Sequence, residues 1–194
     1  IATDDNAFFF LRRYRDRLFP GTPVVFCGVN YFRPSYLAGI KGFTGVNEDI
    51  DIKGTIDIAL KLHPGTRDVV LITDTTETGE RISERVRDVI PLYRGAVQFR
   101  ILNDHEMEQI RSIVAGLTEG TIVLFTFFHR DNKGSFFAYY ESNELITGGA
   151  QVPVYVTLNY SMGHAVGGLV ANGFDEGRVA GELALRILNG ESVD

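Results

Sequence analysis

The sequence predicts an α/β fold with parallel β-sheets, because short apolar runs alternate with segments whose apolar residues recur at helical spacing. Two runs, residues 24–27 and 121–128, are almost continuously apolar, as in strands buried on both faces. The helix-length segments between the runs supply the crossovers that parallel strands need. The chain has 194 residues, 44% of them hydrophobic and 23% charged, which is enough for two small lobes with separate cores.

The part of the chain before residue 47 predicts one helix followed by two strands. Asp5 is predicted to cap the helix. Gly28 is predicted to end the first strand, residues 24–27, so that Asn30 lies just beyond its carboxyl end. A second strand, residues 43–46, then leads to an acidic stretch. Two strands are too few to bury a sheet well, so this part is expected to form an incomplete lobe.

The rest of the chain repeats the alternation of strand and helix. Four strands are predicted, at residues 68–73, 96–102, 121–128 and 153–158. The helices are predicted to begin at polar caps, which are Asp51, Thr78, Asn103 with Glu106, either Asn132 or Ser135, and Asp175. The last helix has no strand of its own, so we expect it to return to the first lobe. The predicted first lobe is residues 1–46 and 159–194, and the second is residues 47–158.

Composition excludes several classes of function. The formal net charge is −6 and there is no run of Lys or Arg, which argues against a nucleic-acid partner. A single cysteine, Cys27, excludes an internal disulfide and a cysteine-rich zinc site. The four histidines are far apart in the sequence, so neither a metal nor another cofactor is expected. No apolar run approaches the roughly 20 residues needed to cross a bilayer, so this piece is not expected to span a membrane itself.

Motifs for nucleotide binding and for nucleophilic catalysis are weak. Neither G-x-G-x-x-G nor G-x-x-x-x-G-K-[ST] occurs, and the glycines of residues 163–168 have the wrong spacing for a phosphate loop. The nearest approach to G-x-S-x-G, around Ser161, lacks the first glycine. Cys27 lies in a strand predicted to be buried. A small α/β enzyme acting through Cys27 or Ser161 stays open as an alternative, but a non-catalytic domain is the main expectation.

Polar residues follow the carboxyl ends of the apolar strands, which is the edge where open parallel sheets bind ligands. The predicted ligand-binding residues are Asn6, Asn30, Glu48, Asp74, Thr75, Thr76, Thr78, His129 and Tyr160. Helix capping is an equally open explanation for the polar residues between 74 and 78, and hinge hydrogen bonding for the acidic residue at 48. Four aromatic residues can supply flat walls or simply pack in the core: Tyr31, Phe32, Phe128 and Tyr160. Alanine at 30 or 76 is predicted to weaken ligand binding and leave the melting temperature nearly unchanged.

Four stretches together resemble a known family. They are residues 23–30 (PVVFCGVN), Thr44-Gly45-Val46 with Glu48, residues 62–66 (LHPGT) and residues 184–190 (ALRILNG). In this order, and over nearly the whole chain, they resemble the type I periplasmic-binding-protein-like family of ABC-transporter substrate-binding proteins. The version used as an extracytoplasmic sensor domain of bacterial hybrid, sensory-box histidine kinases is the most similar.

This resemblance implies two Rossmann-like lobes that close on a small organic solute, such as an amino acid, without altering it. Its implied contacts are Asn30, Thr75, Thr76, Thr78, His129 and Tyr160. It implies a sensing domain of a two-component histidine kinase, extracytoplasmic (periplasmic) and part of a membrane-anchored protein; a free solute-binding protein of an ABC transporter is the alternative. The sequence begins after the family's first strand and helix, so we expect an N-terminally truncated first lobe. The open sheet edge would then favour pairing with another copy as a homodimer.

Overall fold

The computed structural model describes residues 1–159 and 162–193, which form two compact units. Unit 1 comprises Ile1–Asp49 and Ala171–Asp194, and unit 2 comprises Ile50–Val170. The two boundaries between the units, after residues 49 and 170, lie later in the chain than the expected lobe boundaries after residues 46 and 158. Each unit has its own sheet, and every strand pairing within the two sheets is parallel. The α/β architecture predicted from the alternation of strands and helices is therefore confirmed.

The sheet of unit 1 has three strands in the order β1-β2-β3 and one long helix on each face. The strands are β1 (Ala2–Thr3), β2 (Val24–Asn30) and β3 (Phe43–Glu48), and the helices are α1 (Asp4–Leu18) and α6 (Gly173–Leu188). Phe8 of α1 is fully buried against Val24 and Phe26 on one face. Ala180 of α6 packs against Val25 and Cys27 on the other, because successive strand residues point to opposite faces.

Strand β2 continues through Gly28, so the prediction that this glycine ends the strand is wrong. Gly28 has a φ of +68°, and the register of β2 against β3 shifts between Phe26 and Val29. A side chain at this position would bring a Cβ atom to 3.1 Å from Asp4 Oδ1. Glycine is required by this irregularity rather than by a strand end. Asn30 is consequently the last residue of the strand instead of lying beyond it.

The sheet of unit 2 has four strands in the order β5-β4-β6-β7. The strands are β4 (Asp68–Ile72), β5 (Gln98–Leu102), β6 (Thr121–Phe125) and β7 (Val154–Val156). The helices are α2 (Ile52–Leu62), α3 (Glu77–Val89), α4 (Met107–Ala115) and α5 (Tyr139–Thr147). One core joins the strands to α4 and α5 through Val70, Val123, Ile110, Val114 and Ile146. The central strands β4 and β6 are almost wholly buried, as their apolar sequences predict.

The ends of the helices were harder to predict than their existence. Asp51 caps α2 as predicted, since its Oδ1 accepts a hydrogen bond from Gly54 N at 2.7 Å. The other predicted caps are wrong: the observed N-caps are Thr3 for α1, Thr76 for α3, Glu106 for α4, Ala138 for α5 and Asn172 for α6. Each wrong prediction fell in a stretch with several polar residues. At α3, α4 and α6 a different polar residue of the stretch is the cap, whereas α5 begins after Ala138, whose side chain cannot accept a hydrogen bond.

Candidate functional site

Asp74 follows β4 at the carboxyl edge of the unit 2 sheet and is completely buried. Its Oδ2 accepts hydrogen bonds from the backbone nitrogens of His129 (2.7 Å) and Arg130 (3.0 Å). Its Oδ1 accepts from the backbone nitrogen (3.0 Å) and the hydroxyl (2.5 Å) of Thr76. The carboxylate thus ties the loop after β4 to the loop after β6. Asp74 is therefore a positioning residue that fixes two loops, and the direct ligand contact expected from the sequence stays a prediction.

Thr76 is the N-cap of α3 and belongs to the same hydrogen-bond network. Its hydroxyl donates to Asp74 and accepts from Gly79 N at 3.3 Å. Because loss of a cap destabilises a helix by about 1 kcal/mol, we now expect alanine at 76 to lower the melting temperature rather than leave it nearly unchanged. Thr75 and Thr78 are half-buried beside it, so three threonines surround one helix start. These hydroxyls and the free end of the helix supply polar groups at this edge of the sheet.

The loop after β6 and the start of α5 form what we name the aromatic surface, made of His129, Phe136 and Tyr139, and the buried ring of Phe127 packs against two of them. The His129 ring centroid lies 5.1 Å from that of Tyr139 and 5.5 Å from that of Phe136. Phe136 and Tyr139 are 66% and 43% exposed, respectively. The guanidinium carbon of Arg130 lies 5.8 Å from the Phe136 ring centroid. Exposed rings in such an arrangement can stack on a flat solute, and the neighbouring cation extends the surface.

Sequence reasoning found His129 but missed the other members of the aromatic surface. The available signal was the run of residues 135–140, SFFAYY, directly after the loop that carries His129. Phe128, considered as a wall, is instead buried in the core of unit 2. Phe32 packs against Phe8 and Phe26 in unit 1 at ring-centroid distances of 5.9 and 5.0 Å. The predicted contact Tyr160 and the alternative nucleophile Ser161 lie outside the described residues.

The carboxyl edge of the unit 1 sheet brings Asn30 and Glu48 together, since they are register partners at the ends of β2 and β3. Asn30 Nδ2 donates to Asp5 Oδ2 at 3.1 Å, which places the start of α1 beside them. The predicted contact Asn6 lies in the first turn of α1 and is exposed. Three of the predicted residues therefore come from one edge of unit 1.

Carboxylates dominate the electrostatics of this edge. The pKa of Glu48 is raised to about 7. Burial is the main cause, and the nearby carboxylates of Glu176, Asp4 and Asp5 contribute the rest. Burial also raises the pKa of Glu176, against the opposing effect of a hydrogen bond from the Gly28 backbone. Glu48 is thus held partly protonated near neutral pH.

Cys27 lacks the environment of a reactive thiol. It is 6% exposed and packs against α6. Burial raises its pKa, and the carboxylates of Glu176 and Asp4 add to the effect. A raised pKa lowers the fraction of thiolate, which is the nucleophilic form. Among the residues that the structure describes, there is also no group of three His, Cys, Asp or Glu side chains able to hold a metal ion.

Within residues 1–159 and 162–193, no helix combines the length and the apolar character that crossing a bilayer requires.

Comparison with known proteins identifies the fold. No family model matches the sequence, and no curated protein matches it. Among solved structures, the chain is similar to the ABC domain in complex with L-Trp from Streptococcus pneumonia, with a TM-score of 0.59 and 15% sequence identity. The likeness covers 98% of this chain and 65% of that chain, so this chain spans less than two thirds of its neighbour's length. The chain therefore shares the fold of this neighbour, an α/β fold of Rossmann-like units with parallel sheets, as its sequence predicted.

Proposed function

We propose that this chain is a solute-binding module that holds a small organic molecule against the aromatic surface of unit 2 without altering it chemically. The observation that carries the proposal is the geometry of that surface. Phe136 and Tyr139 are exposed around the His129 ring, although large aromatic side chains are normally buried. The surface lies at the carboxyl edge of a parallel sheet, where folds of this class present their ligand contacts.

The loops that carry the aromatic surface are fixed before any ligand arrives. Asp74 holds the backbone nitrogens of His129 and Arg130, and it also holds Thr76 at the start of α3. A surface that is already ordered loses little conformational entropy on binding, which favours affinity. The threonine hydroxyls beside it can accept or donate hydrogen bonds to polar groups of a solute.

We propose a flat aromatic solute, with an aromatic amino acid as the first example to test. The exposed rings favour stacking, and Arg130 beside Phe136 favours a group with a negative charge. The structural neighbour in complex with L-Trp supports this choice of ligand class.

The biological role we propose is the one implied by the family resemblance: an extracytoplasmic sensing domain of a two-component histidine kinase. Binding can carry a signal only if the ligand has different affinities for two states of the protein. A free solute-binding protein of an ABC transporter would use the same binding chemistry. The two roles differ in gene organisation, since a sensor has a kinase in the same reading frame and a transporter component has a separate permease gene.

The binding proposal is tested by titrating the full chain with L-Trp, L-Phe and L-Leu in a calorimeter. We expect L-Trp or L-Phe to bind more tightly than L-Leu, because only aromatic rings stack. Phe136→Ala is expected to weaken binding about tenfold, the factor that corresponds to about 1.4 kcal/mol for a lost ring contact. Its effect on folding should be small, since the side chain is 66% exposed.

The matched control is Phe174→Ala, which removes another exposed phenylalanine, 77% exposed, from α6 of unit 1. It should leave affinity unchanged. If both variants weakened binding equally, the ligand would not be bound at the aromatic surface. Failure of the unaltered chain to bind any of the three amino acids would remove the aromatic amino acid as the ligand class.

An enzyme using Cys27 or Ser161 is the alternative of a different class. We propose no catalytic role for Cys27, and its burial and raised pKa support that choice. The enzyme would be favoured if the chain converted a bound solute to a product and Cys27→Ala or Ser161→Ala abolished this conversion.

A further inference from the structure

A concave pocket of about 390 Å³ is present in unit 2, but the more informative one is in unit 1, with a volume of about 360 Å³. Its lining includes four cationic side chains and one carboxylate: Arg12, Arg13, Arg15, Lys41 and Asp16. The pocket lies beside the residues that precede β2 and β3. It is therefore at the amino-terminal edge of the sheet, away from Asn30 and Glu48. We name it the basic pocket.

Arg15 forms a fixed, positively charged part of the basic pocket. It is only 8% exposed, and its guanidinium donates to the carbonyl oxygens of Thr22 (3.2 Å) and Lys41 (2.5 Å). Its guanidinium carbon lies 5.2 Å from the ring centroid of Phe43. Asp16 Oδ1 is 3.0 Å from Arg15 Nε but outside hydrogen-bond geometry, and the Asp16 side chain is 83% exposed. An exposed carboxylate in this geometry compensates the buried charge only weakly.

Arg12 and Lys41 bring further positive charge from different segments. The Arg12 guanidinium donates through Nε to the carbonyl oxygen of Tyr36, which orients the side chain. Lys41 belongs to the loop before β3. Basic residues in the last turn of α1, Arg15 and Arg17, are expected because they interact favourably with the helix C-terminus. That explanation does not extend to Arg12, which precedes the last turn, or to Lys41.

The grouping of these cations is unusual for this chain. Four positive side chains against one carboxylate give the lining a charge of +3, whereas the whole chain has a formal net charge of −6. Like charges held together repel each other, and a bound anion would relieve that repulsion. Guanidinium groups present several donors in a planar fork that matches phosphate oxygens.

We propose that the basic pocket binds the phosphate group of an organic phosphate. The phosphate oxygens would be contacted by Arg12, Arg13 and Lys41. The buried guanidinium of Arg15 would add positive charge to the wall of the pocket. A volume of about 360 Å³ is within the usual range of sites for small organic molecules, roughly 300–1,000 Å³. The phosphate can belong to a soluble compound or to a phospholipid headgroup, and the same chemistry would recognise both. This site is independent of the solute contacts proposed for unit 2.

The test uses the full chain with two probes. Sodium pyrophosphate, titrated in a calorimeter, represents the soluble source. Co-flotation with vesicles of phosphatidylglycerol in phosphatidylcholine, compared with phosphatidylcholine alone, represents the lipid source. The pocket variant is Arg13→Gln with Lys41→Gln, both at exposed positions, so folding should be retained. The control, Lys61→Gln with Arg87→Gln, removes two exposed positive charges from α2 and α3.

We expect at least one probe to bind, and the pocket variant to bind that probe at least tenfold more weakly while the control is unchanged. Binding should also weaken as salt is raised, since the contacts are between exposed charges. Binding of pyrophosphate supports a soluble ligand, and binding of anionic vesicles alone supports a headgroup. If neither probe binds, or if both variants lose binding equally, the proposal is overturned.

Discussion

The carboxyl edge of each sheet carries a carboxylate near the end of a strand, but the two carboxylates have different surroundings. At the edge of unit 2, Asp74 is fully buried and accepts four hydrogen bonds from protein groups. At the edge of unit 1, Glu48 is half-buried, and its pKa is raised by this burial and by neighbouring carboxylates. The carboxylate of Asp74 is held in place by hydrogen bonds, whereas the pKa of Glu48 is raised to about 7.

The two carboxylates differ in their neighbours. Asp74 has four hydrogen-bond donors, which hold its carboxylate in place. Glu48 has acidic neighbours instead, which add to the effect of burial. Three predictions test this comparison, beginning with the one that should have the largest effect.

Asp74→Ala should destabilise unit 2 by about 3 kcal/mol or more, because it leaves buried donors of the loops after β4 and β6 without an acceptor. The measurement is the free energy of unfolding from urea titration, followed by circular dichroism. Asp68→Ala is the control, since Asp68 is an exposed residue at the start of the same strand. It should change stability by less than about 0.5 kcal/mol. Similar values for the two variants would contradict the assignment of Asp74 as the residue that ties the loops.

Gly79→Ala tests how closely α3 approaches Asp74. A Cβ atom at this position would lie 2.2 Å from Asp74 Oδ1 and 2.3 Å from its carbonyl oxygen. We expect a loss of about 2 kcal/mol, although alanine is favoured over glycine in a helix by about 1 kcal/mol.

Gly177→Ala in α6 is the control for Gly79→Ala. A Cβ atom there would have no atom within 4 Å, so the same substitution should stabilise the protein by about 0.5 to 1 kcal/mol. Opposite signs for the two glycines in thermal unfolding would support the close approach at Asp74. A stabilising effect at both positions would show that the helix start can move away.

The sequence was sufficient to predict which segments form strands and helices, because apolar periodicity reports burial directly. The run at 24–27 is part of β2, the run at 121–128 contains β6, and Asp51 caps α2. The ends of elements were less predictable. β6 stops at Phe125 although its apolar run continues to residue 128, since the following buried residues pack as a loop. Apolar character shows that a segment is buried, but it does not distinguish a strand from a buried loop.

The candidate site was predictable as an edge of the sheet but not residue by residue. The topology of parallel strands was enough to find the loop that carries His129 and the helix start at Thr76. The role of Asp74 depends on backbone nitrogens more than 50 residues away in sequence, a contact that no local pattern contains. Phe136 and Tyr139 were missed for a similar reason. In a chain with 14 Phe and 8 Tyr, only the folded structure separates exposed rings from core rings.

The smallest predicted effect concerns the pH dependence of stability at the unit 1 edge. The pKa of Glu48 is about 7 in the folded protein, above its ordinary value of 4.5. An acid with a raised pKa binds a proton on folding between these two values. Its contribution to stability is therefore fully present below pH 4.5, and it is lost as the pH rises through 7. Because Glu48 is partly exposed, we expect a contribution on the order of 1 kcal/mol across this window.

Glu48→Gln isolates this contribution, since glutamine keeps the shape and cannot ionise. The free energy of unfolding of the unaltered protein minus that of Glu48→Gln should be larger at pH 5 than at pH 8. Glu84→Gln, at an exposed position of α3, is the control and should show the same difference at both pH values. The use of a difference between variants matters, because it cancels the pH dependence that the other titratable groups contribute to the free energy of unfolding. A flat difference for Glu48→Gln would mean that this carboxylate is ionised throughout the window, which would contradict its raised pKa in the folded protein.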